Sequence, residues 1–129
     1  MPEVQCFPGQ LNQVFMNLIA NAIDALDESN EGKTLDELVK QPNCITIGTK
    51  LSSDRQNVIV KIADNGTGMP LDVKQRIFEQ GFTTKAVGKG TGLGMAIAHQ
   101  IIVEKHGGTI TCNSEEGIGT EFIITLPLE

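Results

Sequence analysis

The sequence predicts an α+β two-layer sandwich, with helices packed on one face of a sheet. Three observations carry that reading. Apolar residues recur at Leu11, Val14, Phe15, Leu18, Ile19, Ala22 and Leu26, the i, i+3, i+4, i+7 spacing of a helix with one buried stripe. Apolar and polar letters alternate in "CITIGTKL" and "NVIVKIAD", as they do in half-buried strands. Helical and extended runs also fall in separate blocks, without the strict strand–helix alternation of a parallel sheet. A chain of 129 residues with 40% hydrophobic content has enough material for one domain and one core.

Taken in order, a short strand Val4–Phe7 runs into "PGQ" and a helix of about 18 residues, which the turn-formers and acids of "DESNEG" interrupt. "TLDELVKQP" reads as one short turn of helix in a solvated insertion, with Thr34 and Glu37 spaced as a capping box and Pro42 as its end. The two alternating runs, joined by the polar "SSDRQ", form an antiparallel hairpin. Ile45, Ile47, Thr49 and Leu51 share one face of the first strand, and Val58, Val60 and Ile62 share one face of the second. A short helix over Asp72–Phe78 precedes a glycine-rich stretch. A second long helix is expected from Leu93 to Lys105, with Ile97, Ile101 and Ile102 inward and His106–Gly107–Gly108 as its stop. Strands in "TITCN" and "TEFIITLP", joined by "EEGIG", complete the domain, with no internal repeat or linker.

The formal charge of −6 argues against a partner held by nucleic-acid phosphates. Its distribution is uneven: residues 80–103 contain no Asp or Glu and include Lys85 and Lys89, a pattern suited to a local anion site. No apolar run reaches the roughly 20 residues of a membrane-spanning helix, and no signal peptide is visible. Cys6, Cys44 and Cys112 are odd in number, lack metal-ligand spacing and fall in apparent strands. They read as buried free thiols in a reducing compartment.

Three segments carry candidate chemistry. Asn17, Asn21 and Asp24 project together from the first helix, with Asn21 offset by roughly 40° and Asp24 by roughly 20° from Asn17. That stripe is either an ordinary solvated face or a site offering amide oxygens to a hard cation and amide donors to phosphate. "DNGTGMP" (64–70) follows a strand end, where its two glycines suit a tight turn or the close approach of a flat ligand, and Asp64 is an acceptor for an amine. Gly88, Gly90, Gly92 and Gly94 lie just before a helix and suit phosphate, although the spacing is neither that of a P-loop nor that of a dinucleotide fold.

Asn17-x3-Asn21, "DNGTGMP", "IFEQGFTTK", "GTGLGMAIA" and "GIGTEF" occur in one order across nearly the whole chain. Together they resemble the ATP-binding catalytic domain of bacterial sensor histidine kinases, within the superfamily of gyrase, heat-shock chaperone, histidine kinase and mismatch-repair ATPases. The resemblance implies the Bergerat ATP-binding fold, with helices on one face of a mixed, mainly antiparallel sheet, and the cofactors ATP and Mg²⁺. It implies Asn21 as the Mg²⁺ ligand, Asn17 beside the phosphates, Asp64 reading the adenine amine, and Gly68 leaving room for the ring. Thr120 falls near that adenine, and Gly66, Met69 and Asp24 fall along the same nucleotide site. Residues 80–92 correspond to a mobile ATP lid that begins in "FTTK", with Thr83, Thr84 and Lys85. Lys85 would approach the terminal phosphate, while Gly90, Thr91, Gly92, Leu93 and Gly94 wrap the others. Ile77 and Phe78 either hold the lid against the body or are plain core packing.

Hydrolysing branches of the superfamily carry a glutamate four residues before the Mg²⁺-binding asparagine. Asn17 stands at that position here, and an amide is no base for water at neutral pH. Phosphotransfer to a histidine is therefore implied over hydrolysis, with Asn17 and Lys85 as the candidate catalytic residues. One departure is Asp24, where some histidine kinases carry a phosphate-reaching lysine. The only histidines, His99 and His106, read as structural, so residues 1–129 are expected to be a catalytic domain without its phosphoacceptor and dimerisation domain. Such a domain would bind nucleotide as a cytoplasmic monomer without phosphorylating itself, whether or not its parent is membrane-anchored. Its partners would be that dimerisation domain and a response regulator, with no nucleic acid. The alternatives are an anti-sigma-factor-type serine kinase of the same fold, against which Asn17 counts, and a nucleotide-binding module without transfer activity.

Overall fold

Helix α1 (Pro8–Asn30) opens on a proline, whose missing N–H falls where a helix has no acceptor to offer it. Leu11, Val14, Leu18, Ala22 and Leu26 are buried along its length, and Phe15 packs against the same core. The helix continues through Asp27–Asn30, beyond the break expected at "DESNEG". Each added residue closes another backbone hydrogen bond, and the penalty for poor helix formers at an exposed end is only a few tenths of a kcal/mol per residue. The computed structural model describes residues 8–30, 34–40, 42–69, 71–78 and 94–127; the expected strand Val4–Phe7 lies outside them.

The insertion forms α2 (Leu35–Lys40). Thr34 caps it as its spacing predicted: its Oγ1 accepts the Glu37 N–H at 3.2 Å and its hydroxyl donates to Glu37 Oε1 at 3.3 Å. Leu35 and Val39 are 76% and 71% exposed, in keeping with a solvated segment.

Strands β1 (Ile45–Leu51), β2 (Asn57–Asp64), β3 (Thr109–Glu115) and β4 (Gly119–Pro127) form one sheet in the order β1-β2-β4-β3. Every pairing among the described residues is antiparallel. Val58, Val60 and Ile62 of β2 and Phe122, Ile124 and Leu126 of β4 are buried in one core with α1 and the second long helix. Ile110 of β3 joins them, so the helical layer covers β2, β4 and β3. Edge strand β1 departs from its pattern. Ile47 is registered opposite Ile62 on the helix side, yet it remains 58% exposed. Only its ends, Ile45 and Leu51, pack against the core.

After α3 (Leu71–Arg76), Ile77 and Phe78 leave helical geometry and pack against the core, so the helix ends two residues short of its expected end. The second long helix is divided: α4 (Gly94–Gln100) widens into a π turn over Ile101–Lys105. Ala98, Ile101 and Ile102 are buried, whereas Ile97 is only half-buried. Gly107, at φ +65°, ends the turn, and the Gly108 N–H bonds back to the Ile102 carbonyl at 2.9 Å. His106 Nδ1 lies 2.9 Å from the Ile101 carbonyl, a structural placement, and His99 stacks on Phe78 with ring centroids 5.2 Å apart. Phe78 in turn meets Phe122 edge-on at 6.3 Å.

The cysteines do not share one environment. Cys6 lies outside the described residues, Cys44 is exposed just ahead of β1, and Cys112 is half-buried in β3. Burial raises the Cys112 thiol to about 11, with Asp64 adding to the rise and Lys74 opposing it. At pH 8 about one Cys112 in a thousand is thiolate. Iodoacetamide at that pH should therefore label Cys44 in the native protein and Cys112 only on unfolding, as followed by peptide mass mapping. Comparable labelling of both would contradict this placement.

Candidate functional site

Asp64 ends β2 and is registered opposite Thr120 of β4. Both are buried, at 8% and 4% exposure, in a sheet whose other buried residues are apolar. The carboxylate accepts the Gly66 N–H at 2.8 Å. Burial raises its pKa, while the N–H groups of Gly66 and Thr120 pull it back down. A carboxylate has about four lone-pair sites, so with these two N–H groups it keeps acceptor capacity for a further donor.

The loop after Asp64 is held on three sides. Asn65 pins the chain ahead of β1: its Oδ1 accepts the Cys44 N–H at 2.8 Å, its Nδ2 donates to the Pro42 carbonyl at 3.0 Å, and its backbone N–H donates to the Cys44 carbonyl at 3.3 Å. Gly66 lies against α1, where a Cβ would stand 2.8 Å from the Ala25 carbonyl. Gly68, at φ +70°, lies against the β3–β4 turn, where a Cβ would fall 1.9 Å from the Glu115 carbonyl oxygen. Two hydrogen bonds fasten that contact: Gly117 N–H to the Thr67 carbonyl at 2.7 Å, and Met69 N–H to Ser114 Oγ at 2.8 Å. The empty space at Gly68 thus admits protein backbone, which is a different reason for glycine than room for a flat ring.

Asn17, Asn21 and Asp24 are half-buried on α1 and belong to neither the core nor the open surface. Asn17 Nδ2 donates to the Gly94 carbonyl at 3.1 Å across 77 positions of sequence, tying the end of the glycine-rich stretch to the amide face. Asp24 adjoins Ala25, against which Gly66 packs, so the amide face and the Asp64 loop adjoin along α1. Among the described residues no group of three His, Cys, Asp or Glu is placed to hold a metal. A cation here would take amide oxygens, water and ligand oxygens, a donor set that suits Mg²⁺. Ile77 lies with Phe78 against the core. Thr83, Thr84, Lys85, Gly90, Thr91, Gly92, Leu93 and the whole 80–92 stretch lie outside the described residues.

Sequence reasoning missed Ser114. Alternation does place Ser114 on the inward face of β3 with Ile110 and Cys112, but at a strand end a lone serine gives no sign of what it bonds to. Its bonds to Met69, Gly119 and Thr120 appear only once β3 and the Asp64 loop are side by side.

Residues 7–129 match the family described as histidine kinase-, DNA gyrase B- and HSP90-like ATPases. The chain belongs to this family. Among relatives of the ATPase domain, the sensor kinase CckA of Brucella abortus is 41% identical over 119 residues, which cover 92% of this chain and 12% of that protein. Sporulation kinase E of Bacillus subtilis is 39% identical, over 99% of this chain and 15% of its own length. The domain spans between 12% and 24% of the curated relatives it matches. Its fold is that of the catalytic domain of histidine kinase ThkA, at 32% identity and a TM-score of 0.74, covering 97% of this chain and 71% of that one. Full-length ShkA in complex with AMPPNP matches at 25% identity and a TM-score of 0.76, over 98% of this chain and 23% of that one. The sandwich is thus the Bergerat fold of a histidine kinase-type, ATP-binding domain, with no helix among its described residues long and apolar enough to cross a membrane.

Proposed function

We propose that this domain binds Mg²⁺–ATP and supplies its γ-phosphoryl group to a histidine on a separate dimerisation domain of a two-component sensor kinase, from which a response regulator receives it. The observation that carries the reading is Asp64, a buried carboxylate held by a backbone N–H and still able to accept from an exocyclic amine such as adenine's. Thr120 lies beside it, and the backbone of Gly66, Gly68 and Met69 forms the adjoining wall. Asn17 and Asn21 supply hard amide oxygens for phosphate and Mg²⁺, with Asp24 at their edge. Bound there, Mg²⁺ would offset the negative charge of the phosphate oxygens. Lys85, Thr83, Thr84 and Gly90–Gly94 complete the phosphate end in this reading, and residues 80–92 act as its lid.

Transfer is favoured over hydrolysis because Asn17 offers no base for water and donates its amide to Gly94. The sensor kinases among the relatives support a histidine as acceptor. A supply of ATP and reduced cysteines fits a cytoplasmic site. The test is nucleotide affinity with and without Mg²⁺, in the native chain and in Asn21→Ala. Mg²⁺ should tighten ATP binding to the native chain about tenfold or more, the equivalent of about 1.4 kcal/mol, and should have little effect on Asn21→Ala. An equal Mg²⁺ effect in both would reject Asn21 as the metal ligand.

A further inference from the structure

Ser114 meets three groups at once. Its Oγ accepts the Met69 N–H at 2.8 Å, donates to the Gly119 carbonyl at 3.0 Å, and lies 2.9 Å from the Thr120 hydroxyl. A serine hydroxyl has one proton and two lone pairs. Met69 takes one lone pair, and the Gly119 carbonyl, having no proton of its own, takes the hydroxyl proton. The contact with Thr120 is then a hydrogen bond only if the Thr120 hydroxyl donates into the remaining lone pair. Ser114 thereby commits the Thr120 proton and leaves Thr120 Oγ1 with acceptor capacity alone. Thr120 is paired with Asp64 across β2 and β4, and both side chains are buried. The edge they form together consists of acceptors.

We infer that Ser114 is a positioning residue for base selection: by holding the Thr120 hydroxyl as its donor, it keeps the Asp64–Thr120 edge an all-acceptor surface. Such a surface takes a base with an exocyclic amine and rejects one with a carbonyl at the same place, whose lone pairs would face lone pairs. The inference rests on the nucleotide reading above. Without Ser114, the Thr120 hydroxyl rotates freely and can donate to a carbonyl, so discrimination relaxes.

The experiment compares ATP with inosine triphosphate, which carries a carbonyl where adenine carries its amine. Binding of each to the 129-residue chain is measured by calorimetry at fixed Mg²⁺. Ser114→Ala should reduce the preference for ATP about fivefold, the size of one neutral hydrogen bond. Ser114→Thr, which keeps the hydroxyl, should hold the native preference, and adding Ser114→Ala to Thr120→Val should reduce it no further than Thr120→Val alone. Equal weakening of both nucleotides by Ser114→Ala, or the same loss of preference in the Thr120→Val background, would overturn the inference. If Ser114→Ala does not fold, Ser114→Cys, of similar size and a weak donor, replaces it with the same two outcomes. Asp64→Asn separates the layers of the argument. ATP binding undiminished in that variant overturns the nucleotide reading itself, whereas its loss beside an unchanged Ser114→Ala preference overturns only the role of Ser114.

Discussion

Asp64→Asn should weaken ATP binding about 10- to 150-fold, the range set by removing a charge-assisted hydrogen bond of about 1.5–3 kcal/mol. The same substitution should leave the unliganded domain at least as stable as the native chain at neutral pH. Burial raises the Asp64 pKa, so in the acid range the folded state binds this proton more tightly than the unfolded state does. Stability of the unliganded fold therefore falls as pH rises from the unfolded value, about 3.9, through the raised folded value. Above that window the ionised carboxylate is a net cost to the empty domain. Asparagine removes the charge and keeps an oxygen for the Gly66 N–H. Calorimetric titration with ATP and thermal melts between pH 4 and 7 would read both halves. A variant that melts well below native and binds weakly would mean that Asp64 serves the fold and not the base.

Gly68→Ala should lower the melting temperature by about 10 °C or more, from a loss of about 3 kcal/mol. Two terms add. Alanine at φ +70° costs about 1–2 kcal/mol for the left-handed conformation. The new Cβ would also stand 1.9 Å from the Glu115 carbonyl oxygen and 2.6 Å from its carbon, atoms of strand backbone that cannot rotate away. Overpacking of this kind costs about 1–3 kcal/mol. Gly107 supplies the control: it has φ +65° but nothing within 4 Å of its virtual Cβ, so Gly107→Ala carries the conformational term alone. Equal melting shifts in the two variants, measured by circular dichroism, would show that the contact with Glu115 contributes nothing.

These expectations depend on features of unequal legibility. The buried stripe of α1 and the alternation of β2 could be read directly, because a single side of each meets the core and periodicity records that side. The same logic misled at β1. Ile47 alternates correctly and shares the face of Ile62, but coverage of an edge strand depends on how far the helices extend, which no local pattern encodes. Cys44 was misplaced for a related reason: it precedes β1, held there by Asn65 through bonds that span 21 residues. Asp64 stands out as an acceptor at a strand end and Thr120 only through resemblance, and their pairing in register brings them together. Gly68 was found too, with another reason for being glycine. Ser114 stayed hidden, since its partners lie 45 positions away and at the far side of a turn.

The position of β4 has a consequence for how the domain comes into being. It is the last strand in sequence among the described residues, yet it lies inside the sheet, bonded to β2 on one side and β3 on the other. A nascent chain that has emerged only as far as Glu115 lacks Thr120, which pairs with Asp64, and Gly117, which bonds the loop at Thr67. Domains generally fold as units, and contacts between distant segments form late. The Asp64–Thr120 edge therefore arrives with the closing strand, and the base recognition proposed for it can arrive no earlier.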